Sequence, residues 1–132
     1  MPSTTSRRVL AVIPDLFFAT KVAATAKASG IELELASPAL AAQRVAAAPP
    51  ALVILDLHAG EAVALVSALR TVAPDVPVVG FYSHVETALR RDALAAGIAA
   101  ALPRSAFVHR LAALLTHGLA ALHETAPGGS EA

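Results

Sequence analysis

Four side chains in this 132-residue chain stand where chemistry tends to collect. Asp56 ends the apolar run Ala51-Leu52-Val53-Ile54-Leu55, and Asp15 follows the run Val9 to Ile13. His58 comes just after Asp56, and His84 just after the run Val78 to Tyr82. In an open α/β sheet, ligands gather at the carboxyl ends of the strands, so these four residues could converge. A His/Asp cluster of that kind would suit a transition metal. Two carboxylates could also act as acid and base, but no substrate pocket follows from them. Plainer roles are open to the same residues. Asp15 suits a helix N-cap. Asp56 could be a strand-end carboxylate satisfied by backbone N–H groups or by Arg104, and both histidines could be surface-loop residues. The chain has no nucleophilic triad, no glycine-rich phosphate loop and no zinc-ligand spacing.

Such residues act only if a framework holds them, and the composition says which framework is available. Apolar residues make up 56% of the chain and aromatics only 4%, so the core is expected to be Leu, Val and Ala. The length suits one domain with a proper core. Ten basic residues balance ten acidic ones, so no field of one sign steers the chain towards nucleic acid or anionic lipid. The absence of cysteine excludes disulfides, thiol chemistry and thiolate metal sites. No apolar run approaches the roughly 20 residues of a membrane span, and residues 1–6 lack the apolar stretch of a signal peptide. These features predict a cytoplasmic protein without membrane or nucleic-acid partners.

The periodicity predicts five βα units. Residues 1–6 form a polar arm, expected to be disordered, and Arg7-Arg8 a solvated approach to the first strand, Val9 to Ile13. Asp15 caps a helix through about Ser29, closed by Gly30, with Phe18, Val22 and Ala26 on its core face. Ile31 to Leu35 alternates apolar and acidic residues, which predicts a strand near an edge with Glu32 and Glu34 on the wet side. Ser37-Pro38 starts a helix that Pro49-Pro50 stops.

The third strand carries Asp56, and a helix from about Glu61 to Val72 follows, with Leu65 and Leu69 buried. Val78 to Tyr82 is the fourth strand, with a helix from Ser83 or His84 to Gly97. Ile98 to Leu102 is the fifth strand, and one last helix runs from Pro103-Arg104-Ser105 to about His123. The folded domain is expected over residues 7–124, with a loose tail at 125–132. Right-handed crossovers then give a single doubly wound, flavodoxin-like, five-stranded parallel sheet with helices on both faces, a (βα)5 fold of order 2-1-3-4-5.

Asp56 at the end of the third strand, Pro77-Val78-Val79 opening the fourth, Ala96-Gly97-Ile98 before the fifth and a basic Arg104 after it together resemble the response-regulator receiver family. The resemblance covers about Arg8 to His123 and implies the flavodoxin-like fold and a role in two-component signalling. It implies that Asp56 is the phosphoacceptor equivalent, that Arg104 stands where the family has a lysine, and that Tyr82 or Ser83 holds the switch position.

The departures fall on the chemistry. Receivers end their first strand with two adjacent acidic residues that hold Mg²⁺, which neutralises phosphoryl oxygens. Here Ile13-Pro14 or Pro14-Asp15 falls there, so Asp15 is at most a remnant of the acidic pocket. Leu57-His58-Ala59-Gly60 is shorter than the family's loop and lacks its Met-Pro pair. Pro103 precedes Arg104, whereas a cis-proline follows the family's lysine, and an arginine fork is not equivalent to a lysine point charge.

The resulting expectation is a degenerate, pseudo-receiver-like module: non-enzymatic, cofactor-free and acting through protein–protein contacts, with any signal leaving through its own surface. The family's partner-binding face suggests Arg90, Arg91, His109, Arg110 and His117 as an interaction surface, and a homodimer as one assembly. Phe17-Phe18 is unusual in so aromatic-poor a chain. One ring is expected in the core, and the other either fills the emptied acidic pocket or forms an exposed anchor. Two alternatives stand beside this reading. One is a phosphorylatable regulator that takes a phosphoryl group on Asp56 from a histidine kinase, with Mg²⁺. The other is a small-ligand or metal sensor at Asp15, Asp56, His58 and His84.

Overall fold

The apolar runs of the first, third and fourth strands can leave water only inside a sheet covered on both faces, and that is where they lie. The computed structural model describes residues 7–83 and 87–123. Its strands are β1 (Arg8–Val12), β2 (Glu32–Leu35), β3 (Leu52–Asp56), β4 (Val78–Tyr82) and β5 (Ala100–Pro103). They alternate with α1 (Leu16–Ala28), α2 (Pro38–Ala47), α3 (Ala62–Val72), α4 (Thr87–Ala96), α5 (Arg104–His117) and the short α6 (Ala120–His123). All pairings are parallel and the order is β2-β1-β3-β4-β5, the flavodoxin-like order expected.

Alternation along the strands divides the core in two. Leu10, Val12, Val53, Leu55 and Tyr82 face α2, α3 and α4, where they meet Val45, Leu65, Val66, Leu69 and Ala93. Val9, Ala11, Leu52, Ile54 and Phe81 face α1 and α5, where they meet Phe18, Val22, Phe107, Leu111 and Leu114. β3 is the central strand, bonded to β1 on one side and β4 on the other. Its first four residues are fully buried, and exposure begins only at Asp56.

Gly80 shows how tightly the first layer is packed. It lies mid-strand in β4, and a Cβ there would come within 2.7 Å of Ile98 Cδ1 and 2.9 Å of Leu57. β2 is one of the two edge strands, with β5 at the other side. Glu34 is half-buried on β2, bonded to Arg8 at 2.5 Å and paired also with Arg44. Arg8 also donates to the Ala48 carbonyl, so it is tied down and not a solvated approach to the strand. The alternation on β2 is also imperfect: Leu35 is exposed, while Ile31 and Leu33 pack on the core.

Several boundaries differ from the sequence reading. β5 starts at Ala100, later than Ile98, because Ile98 folds back by donating its N–H to Ala93 at the end of α4. The last helix is two helices. Gly118, at φ 66° and ψ −143°, ends α5 in a conformation open to glycine, and α6 folds back so that Leu119 and Leu122 cover the second layer. The side chain of Arg7 lies against Gly118, where a Cβ would collide with its guanidinium. Ser37 has an extended N-cap backbone, but its hydroxyl makes no cap bond. Ser83 is not helical; the expected helix start at His84, the arm 1–6 and the tail lie outside the described residues.

Gly80→Ala should destabilise the fold by about 1–3 kcal/mol through overpacking, read as a lower urea midpoint at unchanged m. Glu34 is held below the ordinary glutamate range, first by the Arg8 hydrogen bond and then by Arg44. With its folded pKa below its unfolded one, its contribution is complete above the unfolded value, about 4.3, and is lost as the pH falls through the folded value. Glu34→Gln should therefore be less stable than the wild type at neutral pH and lose less further stability on acidification, as followed by urea unfolding at a series of pH values.

Candidate functional site at the carboxyl edge of the sheet

The loop after β1 turns Asp15 into the N-cap of α1. Asp15 Oδ1 accepts from the Phe17 N–H at 3.0 Å and the Phe18 N–H at 3.4 Å. Its other oxygen, Oδ2, meets Arg104 Nη2 at 3.3 Å. The Phe18 backbone bond, followed by the Arg104 contact, holds the Asp15 carboxyl below its usual range. Arg104 comes from the first turn of α5, and its guanidinium lies 4.0 Å from the Phe18 ring centre and 5.8 Å from that of Phe81. Phe18, Phe81 and Phe107 pack on one another with centroids 4.8–6.0 Å apart. They form an aromatic shelf that attracts the cation. Arg104 Nε is cut off from water without a hydrogen-bond partner among the described residues.

Asp56 is held differently. Its Oδ1 accepts from the His58 N–H at 2.9 Å, closing an Asx turn at the strand end, and no other hydrogen bond to its side chain occurs among the described residues. Backbone satisfaction was one expectation for Asp56; pairing with Arg104 was the other, and Arg104 goes to Asp15 instead. The His58 ring reaches the neighbouring loop, where Nε2 accepts from the Ser83 N–H at 2.9 Å. Asp15, Asp56, His58, Phe81, Ser83 and Arg104 line one cleft of about 240 Å³.

The structure therefore brings Asp15, Asp56, His58, Ser83 and Arg104 together. Tyr82 is not with them. Strand alternation aims Phe81 and Ser83 at the cleft and buries Tyr82 in the opposite layer. Sequence reading missed the aromatic shelf. Its signal was the two-residue period of β4, which puts Phe81 beside Asp56 in the parallel register.

The donor set does not fit a hydrated Mg²⁺, which needs near-octahedral oxygen ligation. Asp15 spends both oxygens on its cap and on Arg104, and a guanidinium already shares the cleft. Among the described residues no three His, Asp or Glu side chains come close enough to hold an ion; His84 lies outside them.

Of the suggested interaction residues, Arg90 and Arg91 are exposed on α4, and His109 and His117 on α5. Arg110 is half-buried and donates to the Ala121 carbonyl at 3.4 Å, tying α5 to α6. Phe18 is the core ring expected, while Phe17 is 90% exposed beside Leu16 at 74%.

Asp15→Ala should lower the melting temperature more than Asp15→Asn, because asparagine still caps the helix and loses only the attraction to Arg104; a thermal melt of the three proteins measures this.

No protein-family model matches the sequence, and no curated protein matches it. Solved structures do match. A response-regulator structure from Chloroflexus aurantiacus J-10-fl is 18% identical, covering 86% of this chain and 100% of that one, with a TM-score of 0.72. The receiver domain of NtrX from Brucella abortus is 21% identical over 85% of this chain and 98% of that one, TM-score 0.73. In a longer NtrX chain from the same organism the match spans 29% of that chain. A beryllofluoride-activated NtrC4 receiver domain dimer is 17% identical over 85% of this chain and 95% of that one, TM-score 0.73. The fold of this chain is that of the response-regulator receiver domains.

Proposed function

We propose that this chain is a non-enzymatic, receiver-like signalling module that works through protein–protein contacts and does not use Mg²⁺-dependent phosphorylation of Asp56. The observation that supports it is Arg104. Phosphoryl transfer needs a cation that can coordinate the incoming oxygens and the acceptor together. Here the cleft beside Asp56 holds a guanidinium committed to Asp15 and to the faces of two phenylalanines. Contact with a partner falls to the exposed surface, where Leu16 and Phe17 project together and α4 and α5 carry Arg90, Arg91, His109 and His117. A second copy of the chain is one candidate partner, supported by the dimeric state of the NtrC4 neighbour.

One observation favours a second reading, in which Asp56 accepts a phosphoryl group from a histidine kinase. Only one of its two oxygens is hydrogen-bonded among the described residues, which leaves the other facing the cleft.

Incubation with acetyl phosphate and Mg²⁺, followed by intact mass, separates the two. The proposal expects no phosphoryl adduct and no rise in melting temperature with Mg²⁺, since an ion bound to the native state must stabilise it. An adduct that disappears in Asp56→Ala would overturn it.

A further inference from the structure

We infer that His58 is a proton-operated clasp joining the loop after β3 to the loop after β4. Backbone pairing between these strands ends where the Leu57 N–H donates to the Phe81 carbonyl at 3.0 Å. Beyond that point a side chain supplies the next rung: Ser83 N–H donates to His58 Nε2 at 2.9 Å. The two residues are 25 apart in sequence, so the contact fixes two separate loops to each other. The His58 backbone N–H is meanwhile held by Asp56, which sets where the ring starts from.

A backbone N–H can only donate, so Nε2 must carry a lone pair. His58 is therefore neutral in the clasped state, with its proton on Nδ1. Protonation places a hydrogen on Nε2, donor then faces donor, and the rung cannot survive. The charged ring also has somewhere to go. The ionisable groups lining its cleft are Asp56 at the end of β3, Asp15 in the loop after β1, and Arg104 at the start of α5. Two carboxylates and one guanidinium leave one net negative charge; Arg104 is paired with Asp15, so Asp56 is the carboxylate open to an imidazolium. Tyr82 on β4 faces the other layer, no residue of α3 lines the cleft, and His84 lies outside the described residues. The clasp has two states: a neutral ring bonded to Ser83, and a charged ring released towards Asp56. The switch acts on Ser83, the residue that follows β4, and it does not depend on whether Asp56 ever takes a phosphoryl group.

The test is an NMR titration of the ¹⁵N-labelled full chain as the pH is lowered through the range in which histidines titrate. On the alkaline side the His58 ring should be the Nδ1–H tautomer, with Nε2 unprotonated. The Ser83 amide should shift with the same midpoint as the His58 ring. In His58→Gln, whose carbonyl accepts without titrating, the Ser83 step should be lost while the rest of the spectrum is kept. An Nε2–H tautomer, a Ser83 amide indifferent to the ring's titration, or a step that persists in His58→Gln would each overturn the clasp.

Discussion

A sheet sealed on both faces can carry polar chemistry only at its ends. Among the described residues no charged side chain is wholly buried, because a carboxylate or imidazole in either layer would lose its hydration without recovering it. Everything reactive is pushed to the carboxyl edge, where the strands stop and the helices have not yet closed over them. Asp15, Asp56, His58 and Arg104 meet for this reason, though they come from three separate stretches of chain.

What they do there is decided by Arg104. A cation at the end of β5 needs counter-charge and shelter, and it takes both from the first helix: charge from Asp15, shelter from the Phe18 ring. Phe81, the lateral neighbour of Asp56 in the sheet, continues the shelf. The same contact that neutralises Asp15 therefore sits beside Asp56 without touching it. Arginine can do this because its planar, delocalised ion stacks on rings; an ammonium group would remain hydrated and mobile.

The framework was legible in the sequence because it rests on local signals. Continuous β-branched runs marked β1, β3 and β4, Asp15 and Gly30 bracketed α1, and Pro38 and Pro49-Pro50 bracketed α2. The misread places are those where tertiary contacts overrule local preference. Gly118 lies in an apolar helical pattern whose leucines remain in phase on both sides, so nothing in the period announces the break. Leu35 alternates correctly yet stays exposed on an edge strand. The site was legible as a set of residues but not as a set of bonds. Arg104 had two carboxylates in reach, and only the aromatic shelf, assembled from three elements, selects Asp15. The His58 link to Ser83 had no signature at all, since its partner is a backbone amide.

The contact of Arg7 with Gly118 bears on how the domain comes apart. α5 runs back from the site edge, so its end lies beside the beginning of β1 at the opposite edge. There the Arg7 side chain occupies the space that a Cβ on residue 118 would need. Terminal segments usually fray independently and at low energy. Here the first strand's approach and the α5–α6 corner pack against one another. That contact predicts that the two segments open together and share their protection from solvent exchange.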